Sequence, residues 1–186
     1  MKVYEGLGDQ RSRAVTLGDI ARIKVDRGEV EAALKLNEER LRVFEGLGDQ
    51  RSRAVTLGDI ARIKRSRGEV EAALKLQLER LQVNRGLSDQ DGIAAAQFDA
   101  AQIDLQQENY QAAFERLAES YGILLQLGRL DGICVVGLDL GQLLCAAGQT
   151  EQGLEILERS RAGFEKLGRL DYAEHTAEII KKNSTP

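Results

Sequence analysis

The chain has 186 residues, of which 42% are hydrophobic and 30% charged, and its formal net charge is only −4. A single proline among these residues is typical of a nearly all-helical protein, because proline breaks helices. With no strong basic excess and no tryptophan, the composition lacks the cationic surface and aromatic platform of nucleic-acid-binding proteins, so we expect no nucleic-acid partner.

The sequence shows neither a signal peptide nor an apolar run near the roughly 20 residues that span a membrane. We therefore expect no membrane association and a cytoplasmic location. The charge is unevenly distributed, since residues 1–80 carry 17 Lys/Arg against 14 Asp/Glu, a net of +3, and residues 81–186 carry a net of −7. This asymmetry can steer a charged partner, and drifting composition on solvated faces is the alternative explanation.

A unit of forty residues is repeated along the chain. The segment EGLGDQRSRAVTLGDIARIK at 5–24 recurs letter for letter at 45–64, RGEVEAALKL occurs at both 27–36 and 67–76, and weaker copies follow from residues 91 and 131. Self-similarity at a fixed period predicts a solenoid, whose repeats stack because none can bury its apolar face alone.

We assign four repeats, within a single array, to residues 9–48, 49–88, 89–128 and 129–168. Residues 169–186 are assigned to helix A of a fifth repeat, or a cap, and a tail. Residues 1–8 are assigned to the end of a preceding repeat, because Met1 to Leu7 aligns with Leu41 to Leu47. We therefore expect a fragment of a longer array, in which the apolar side chains of Val3, Tyr4 and Leu7 need a cover.

Each repeat is predicted to contain two helices, A and B. In the first repeat, helix A is predicted from about Gln10 to Arg27 and helix B from about Glu29 to Leu47, and a last helix is predicted from about Leu170 to Lys182. The apolar residues follow the i, i+3, i+4 spacing of one helical face. They are Ala14, Leu17, Ile20, Ala21 and Val25 in helix A, and Val30, Ala33, Leu34, Leu41, Phe44 and Leu47 in helix B.

The junctions between helices carry residues suited to turns and caps. Gly28 can adopt the turn conformation that other residues resist, and Asp49 is a candidate N-cap for the next helix A. In the third repeat Glu108 and Asn109 replace Gly28 and Glu29, and we expect Asn109 to take over part of the turn role of glycine.

These features resemble the tetratricopeptide repeat (TPR) family over essentially the whole chain. The turn glycine of the family corresponds to Gly28 and its packing alanine to Ala33, and NYQAA at 109–113 carries the tyrosine and alanine together. Forty-residue units of this kind are similar to those of kinesin light chain and of Partner-of-Inscuteable type scaffolds, although tryptophan is absent. The resemblance implies an all-α, right-handed superhelical solenoid of antiparallel helix pairs, with helix A on the concave wall.

No residue pattern points to catalysis, a metal or a cofactor. His175 is the only histidine, and Cys134 and Cys145 lack metal-ligand spacing. Because the two cysteines lie about 16 Å apart along one predicted helix, they cannot form a disulfide within it, and we expect small core or groove residues. We therefore predict a protein that is not an enzyme.

The resemblance implies a groove for a protein or peptide ligand, and two columns of side chains on helix A are candidates to line it. Arg22, Arg62, Gln102 and Gln142 form a ladder of hydrogen-bonding groups, and Phe98 and Leu138 form an apolar shelf. Arg62 together with Arg65 is the preferred anion-binding pair. Solvated ion pairs with Asp19 or Asp59 are the alternative for the arginines, and packing is the alternative for Phe98.

The leading functional hypothesis is a non-enzymatic interaction module or scaffold that binds a peptide or helix, acidic near the first two repeats and apolar near the next two. One alternative is a self-assembling repeat protein, a homo-oligomer through its repeat ends. Another is a sensor domain of a larger signalling protein.

Overall fold

Nine α-helices make up almost all of residues 9–184, the part of the chain that the computed structural model describes. In chain order they are α1 (Gln10–Asp26), α2 (Val30–Gly46), α3 (Gln50–Ser66), α4 (Val70–Gly86), α5 (Gln90–Gln106), α6 (Tyr110–Leu127), α7 (Leu130–Ala146), α8 (Thr150–Lys166) and α9 (Leu170–Ser184). The described residues contain no strand, so the predicted all-α class is confirmed. The predictions for Met1 to Leu7 lie outside the described residues.

The helices of the first repeat begin and end within one residue of their predicted bounds, and α9 extends two residues beyond its predicted end. Local chemistry explains this agreement. Oδ1 of Asp49 accepts a hydrogen bond from the Ser52 amide at 3.0 Å and thereby caps α3 as predicted. Gly28 lies in the turn that follows α1 and has φ +76°, a conformation that glycine adopts without a steric penalty.

Two turns achieve the same left-handed backbone without glycine. Ser88 and Glu108, in the places that Gly48 and Gly28 hold in the first repeat, have φ of 53° and 60°. Asn109 instead has φ −81° and immediately precedes α6. The expectation that Asn109 supplies the turn is therefore wrong, because the left-handed position is residue 108 in the repeat frame.

The chain divides into two compact units, Met1–Gly92 and Ile93–Pro186, and the division falls in the first turn of α5. In unit 1, α1 packs on α2 and α3 packs on α4. A buried cluster there comprises Ala21, Ala33, Leu34, Ile60 and Ile63. Val25 and Leu47, predicted on the apolar faces, are 41% and 46% exposed. Val25 lies in the last turn of α1 and Leu47 follows the end of α2, so neither is covered.

Unit 2 has two buried clusters of its own. One is built around Leu117, Tyr121 and Leu140, and the other around Leu157 and Phe164. The second cluster also contains the two cysteines, which are free thiols. Glycines make room for them, since a Cβ on Gly163 would collide with Sγ of Cys134. Burial raises the pKa of both thiols, and the cysteines are core residues.

The helix α9 carries charged residues where the preceding A helices bury small ones. Its Glu174 corresponds to Ala14, Ala54, Ala94 and Cys134, and its Lys181 corresponds to Ala21, Ala61, Ala101 and Gly141. Both charged side chains are exposed. This face of α9 is therefore polar.

Candidate functional site

A pocket of about 490 Å³ opens in unit 1 between α1, α2 and α3. It combines aliphatic walls with charged groups of both signs. Its large aliphatic residues are Val15, Val25, Val30, Val55 and Ile63. Its charged residues are Asp19, Arg22, Arg40, Asp59 and Arg62. The size and the mixed lining are those of a site for a small ligand or for side chains of a peptide.

Arg40 reaches this pocket from helix α2 by crossing α1 at a glycine. A Cβ on Gly18 would lie 2.9 Å from Cζ of Arg40, so the guanidinium occupies space that a larger residue would fill. Its Nη1 donates to Oδ2 of Asp59 at 2.8 Å, and its Nε is buried without a hydrogen-bond partner among the described residues. The side chain is only 13% exposed. Arg40 is therefore a largely desolvated cation at the pocket.

Arg22 and Arg62, both predicted from the sequence, line the same pocket. Nη2 of Arg22 lies 3.3 Å from Asp19, and Nη2 of Arg62 lies 3.4 Å from Asp59. The two arginine side chains are 76% and 58% exposed. Such exposed pairs contribute only about 0.2–1 kcal/mol, so a ligand can displace them at little cost.

Arg65, the predicted partner of Arg62, does not line the pocket. The structure instead brings Arg40 to the same carboxylate as Arg62, since both guanidiniums contact Asp59. The sequence reasoning missed Arg40 because it lies on helix B. A signal was present, since Gly18 and Gly58 on helix A accompany Arg40 and Arg80 in the same repeats.

The arrangement of Gly18 and Arg40 recurs in the second repeat. A Cβ on Gly58 would lie 2.9 Å from Nη1 of Arg80, and the same nitrogen donates to Oε1 of Gln77 at 3.2 Å. In the third and fourth repeats the large side chain is on helix A, as Phe98 or Leu138, and the small one is a serine on helix B. The hydroxyl of Ser120 donates to the Ala94 carbonyl at 2.9 Å, and that of Ser160 donates to the Ile156 carbonyl at 3.0 Å.

The two predicted shelf residues contribute to the interior of unit 2. Leu138 is a member of a buried cluster and is only 9% exposed, and half-buried Phe98 packs against the other cluster. Leu138 is thus a core residue rather than an exposed shelf. For Phe98, the contacts support the packing role that the sequence had left open.

The glutamines of the predicted ladder make hydrogen bonds within unit 2. Nε2 of Gln142 donates to the Leu138 carbonyl at 3.3 Å, and Nε2 of Gln102 donates to Oδ2 of Asp139 at 2.7 Å. Burial raises the pKa of Asp139 above its ordinary value, and the Gln102 hydrogen bond offsets part of this effect. Asp139 corresponds to Asp59 of the second repeat, yet no guanidinium within residues 9–184 contacts it.

The remaining candidates for chemistry lie apart from the pocket. His175 is exposed on α9. Within residues 9–184, no group of three or more His, Cys, Asp or Glu side chains is arranged to hold a metal ion. In the same part of the chain, no helix combines the length and the apolar character needed to cross a bilayer.

Comparison with known proteins gives matches among solved structures alone. No family model matches the chain, and no curated protein sequence matches it. The chain superposes on aspartyl phosphate phosphatase F from Bacillus subtilis with a TM-score of 0.87 and 9% identity, over 95% of this chain and 46% of that one. The chain therefore spans about half the length of that structure.

Two further structures carry the same repeat architecture. The nearly identical TPR-like repeats attributed to a kinesin light chain of Podosopora anserina superpose with a TM-score of 0.68 and 18% identity, over 93% of this chain and 95% of that one. A Rap protein in complex with a competence and sporulation factor superposes with a TM-score of 0.75 and 16% identity, over 95% of this chain and 54% of that one. The chain therefore has the all-α helical-repeat fold of tetratricopeptide-type proteins, as the sequence predicted.

Proposed function

We propose that this chain is a non-enzymatic protein-interaction module, formed by a single array of repeats, that binds a peptide or helix through the pocket of unit 1. The observation that carries the proposal is the convergence of Arg40 and Arg62 on Asp59 inside a pocket with aliphatic walls. The ligand residue that fits there is acidic and is flanked by an aliphatic side chain.

The charge balance of the pocket favours such a residue. Three guanidiniums face two carboxylates, which leaves one positive charge in excess. Arginine can bind a carboxylate through two parallel hydrogen bonds, and the exposed Arg22 and Arg62 are free to reorient toward it. The aliphatic walls supply apolar contact area beside the charge.

The comparison structures give this proposal indirect support. One of them is a Rap protein of the same fold that was solved in complex with a competence and sporulation factor. At 16% identity the likeness concerns the fold, so the choice of an acidic peptide for this chain rests on the pocket.

Binding measurements on a charge-reversed pocket test the proposal. We expect Arg62→Glu to abolish binding of an acidic peptide selected on the unaltered chain, with unchanged helical content by circular dichroism. Arg42→Glu is the matched control, because Arg42 is exposed on α2 and outside the pocket, where its Nε donates to the Glu38 carbonyl. Equal affinities of both variants and the unaltered chain would show that the pocket is not the site.

Self-association is the second candidate, and one exposed patch favours it. Leu167, Leu170 and Tyr172 are exposed around the start of α9. Light scattering over a concentration series tests this candidate. A mass that climbs above 20.5 kDa would favour a homo-oligomer, and a constant mass near that value would exclude one.

A further inference from the structure

Asp139 is a half-buried carboxylate on α7 for which the structure shows no cationic partner among the described residues. Its single hydrogen bond there comes from the neutral side-chain amide of Gln102, at 2.7 Å. An ionised carboxylate can accept about four hydrogen bonds, so Asp139 can accept more from a ligand. Burial raises the pKa of Asp139, because it removes the ionised carboxylate from water.

The equivalent carboxylate in unit 1 has two cations. Asp59 contacts Arg40 from helix B of the preceding repeat, at 2.8 Å, and Arg62 from its own helix, at 3.4 Å. Two repeats further along the chain, the positions equivalent to Arg40 and Arg62 are occupied by Ser120 and Gln142. Both cations have therefore been replaced by neutral residues, while the carboxylate has been kept.

The position from which Arg40 reaches Asp59 in unit 1 carries no cation in unit 2. The hydroxyl of Ser120 is directed to the Ala94 carbonyl, and Phe98 occupies the place where Gly18 lets Arg40 pass. The A helices α5 and α7 contain no lysine or arginine, whereas α1 and α3 contain nine. The face that carries Asp139 is thus acidic and neutral, in a unit with negative charge in excess.

We propose that Asp139 binds a lysine or arginine side chain of the peptide ligand, and that Gln142 pairs with the peptide backbone beside it. This inference rests on the proposed function, because the ligand of Asp139 is again a peptide. A cation brought by the ligand forms charge-assisted hydrogen bonds with the unused acceptor sites of the carboxylate. The peptide that Asp139 binds is therefore expected to carry a basic residue.

Selection of displayed random peptides on the whole chain provides the probe. We expect the enriched peptides to contain a conserved lysine or arginine. One such peptide is then synthesised with its basic residue intact and with that residue replaced by norleucine, which keeps the aliphatic chain and removes the charge. Affinities are measured by calorimetry for the unaltered chain, Asp139→Asn and the control Asp131→Asn, which alters an exposed residue in the first turn of α7.

We expect the effect of Asp139→Asn on affinity to depend on the basic residue of the peptide. Asp139→Asn weakens binding of the basic peptide by roughly tenfold, and the norleucine peptide binds the unaltered chain and Asp139→Asn equally. Asparagine keeps an acceptor for Gln102, so unchanged circular dichroism is expected. Equal weakening by norleucine in both proteins would overturn the inference, as would enriched peptides without a basic residue.

The same affinities separate this inference from the proposed function. Peptides that depend on Arg62 and not on Asp139 overturn the inference and leave the proposed function standing. Peptides that depend on Asp139 and not on Arg62 support the inference and reject the unit 1 pocket. If no peptide is enriched, both are rejected.

Discussion

Arg40 occupies the space beside α1 that the missing side chain of Gly18 leaves open, because a Cβ at residue 18 would lie 2.9 Å from the guanidinium carbon. The four repeats carry two different combinations of residues at these two positions. Glycine on helix A accompanies arginine on helix B in the first two repeats, and a large apolar residue accompanies serine in the next two. The exchange gives unit 1 a cationic pocket and gives unit 2 a carboxylate without a cation among the described residues, while the helices α1 to α8 keep the same lengths to within one residue.

The first prediction concerns the coupling of Gly18 and Arg40. Alanine is favoured over glycine in a helix by about 1 kcal/mol, but in the unaltered chain its methyl group must displace Arg40 from Asp59. We therefore expect Gly18→Ala to stabilise the Arg40→Ser variant more than it stabilises the unaltered chain. Chemical unfolding of the four proteins measures this, and free energies that add to within about 0.3 kcal/mol would refute the steric coupling.

The second prediction concerns a buried ion pair in unit 2 that the sequence did not reveal. Asp104 is 2% exposed, and its Oδ2 accepts from Nε of Arg116 at 2.7 Å. Arg116→Ala leaves a buried carboxylate without its cation, so we expect a loss of about 3 kcal/mol in the free energy of unfolding.

The fourth repeat supplies the matched control for this pair. It carries Leu144 and Ile156 in the two equivalent positions, packed in the same cluster. The double variant Asp104→Leu/Arg116→Ile should therefore be nearly as stable as the unaltered chain. A double variant that loses as much stability as Arg116→Ala in chemical unfolding would contradict this account.

The third prediction concerns the cap of α3 and its pH dependence. Hydrogen bonds from the backbone and side chain of Ser52 hold the pKa of Asp49 below its ordinary value. A lowered pKa means that the stabilisation is complete above the ordinary pKa and is lost as the pH falls through the lowered value. Asp49→Ala should cost about 1 kcal/mol at neutral pH and less in acid, as measured by unfolding at several pH values.

Asparagine at the same position separates the cap from the charge. Asn caps helices about as well as Asp, so Asp49→Asn should keep most of the stability and lose its pH dependence. If Asp49→Asn were as unstable as Asp49→Ala, the capping hydrogen bonds would not be the cause.

The fourth prediction concerns Asp139, whose contribution to stability changes with pH in the direction opposite to that of Asp49. Because burial raises the pKa of Asp139, the folded state binds its proton more tightly than the unfolded state does. The resulting loss of stability is absent below about pH 4, grows as the pH rises through the ordinary aspartate pKa, and is complete above the raised value. Asp139→Asn should therefore raise the melting temperature at neutral pH but not in acid. A gain in melting temperature that is the same at both pH values would contradict this prediction.

The repeat sequence was enough to predict the helices, because each one combines a strong apolar pattern with its own turn signals. Gly28 and Asp49 mark junctions by local chemistry, and local chemistry is visible in a sequence. The error at Asn109 arose because asparagine is the better turn former by propensity, while the repeat frame places Glu108 in the left-handed position.

The candidate site was predictable only on helix A. Arg22 and Arg62 follow from their positions in the repeat, and both line the pocket. The place of Arg40 in the pocket follows from the packing of α2 against the gap at Gly18. The role proposed for Asp139 follows from the absence of a cation beside it among the described residues. Relations of this kind between helices are not expressed by the spacing of residues along one helix.

A charge-exchange experiment tests the central claim most directly. The affinity of a selected acidic peptide, and of the same peptide with its acidic residue changed to lysine, is measured for the unaltered chain and for Arg62→Glu. We predict that Arg62→Glu loses the acidic peptide by at least about tenfold and regains affinity for the lysine peptide, because the favourable charge pair is restored in reverse. If both peptides bind the two proteins equally, the pocket of unit 1 does not bind the ligand.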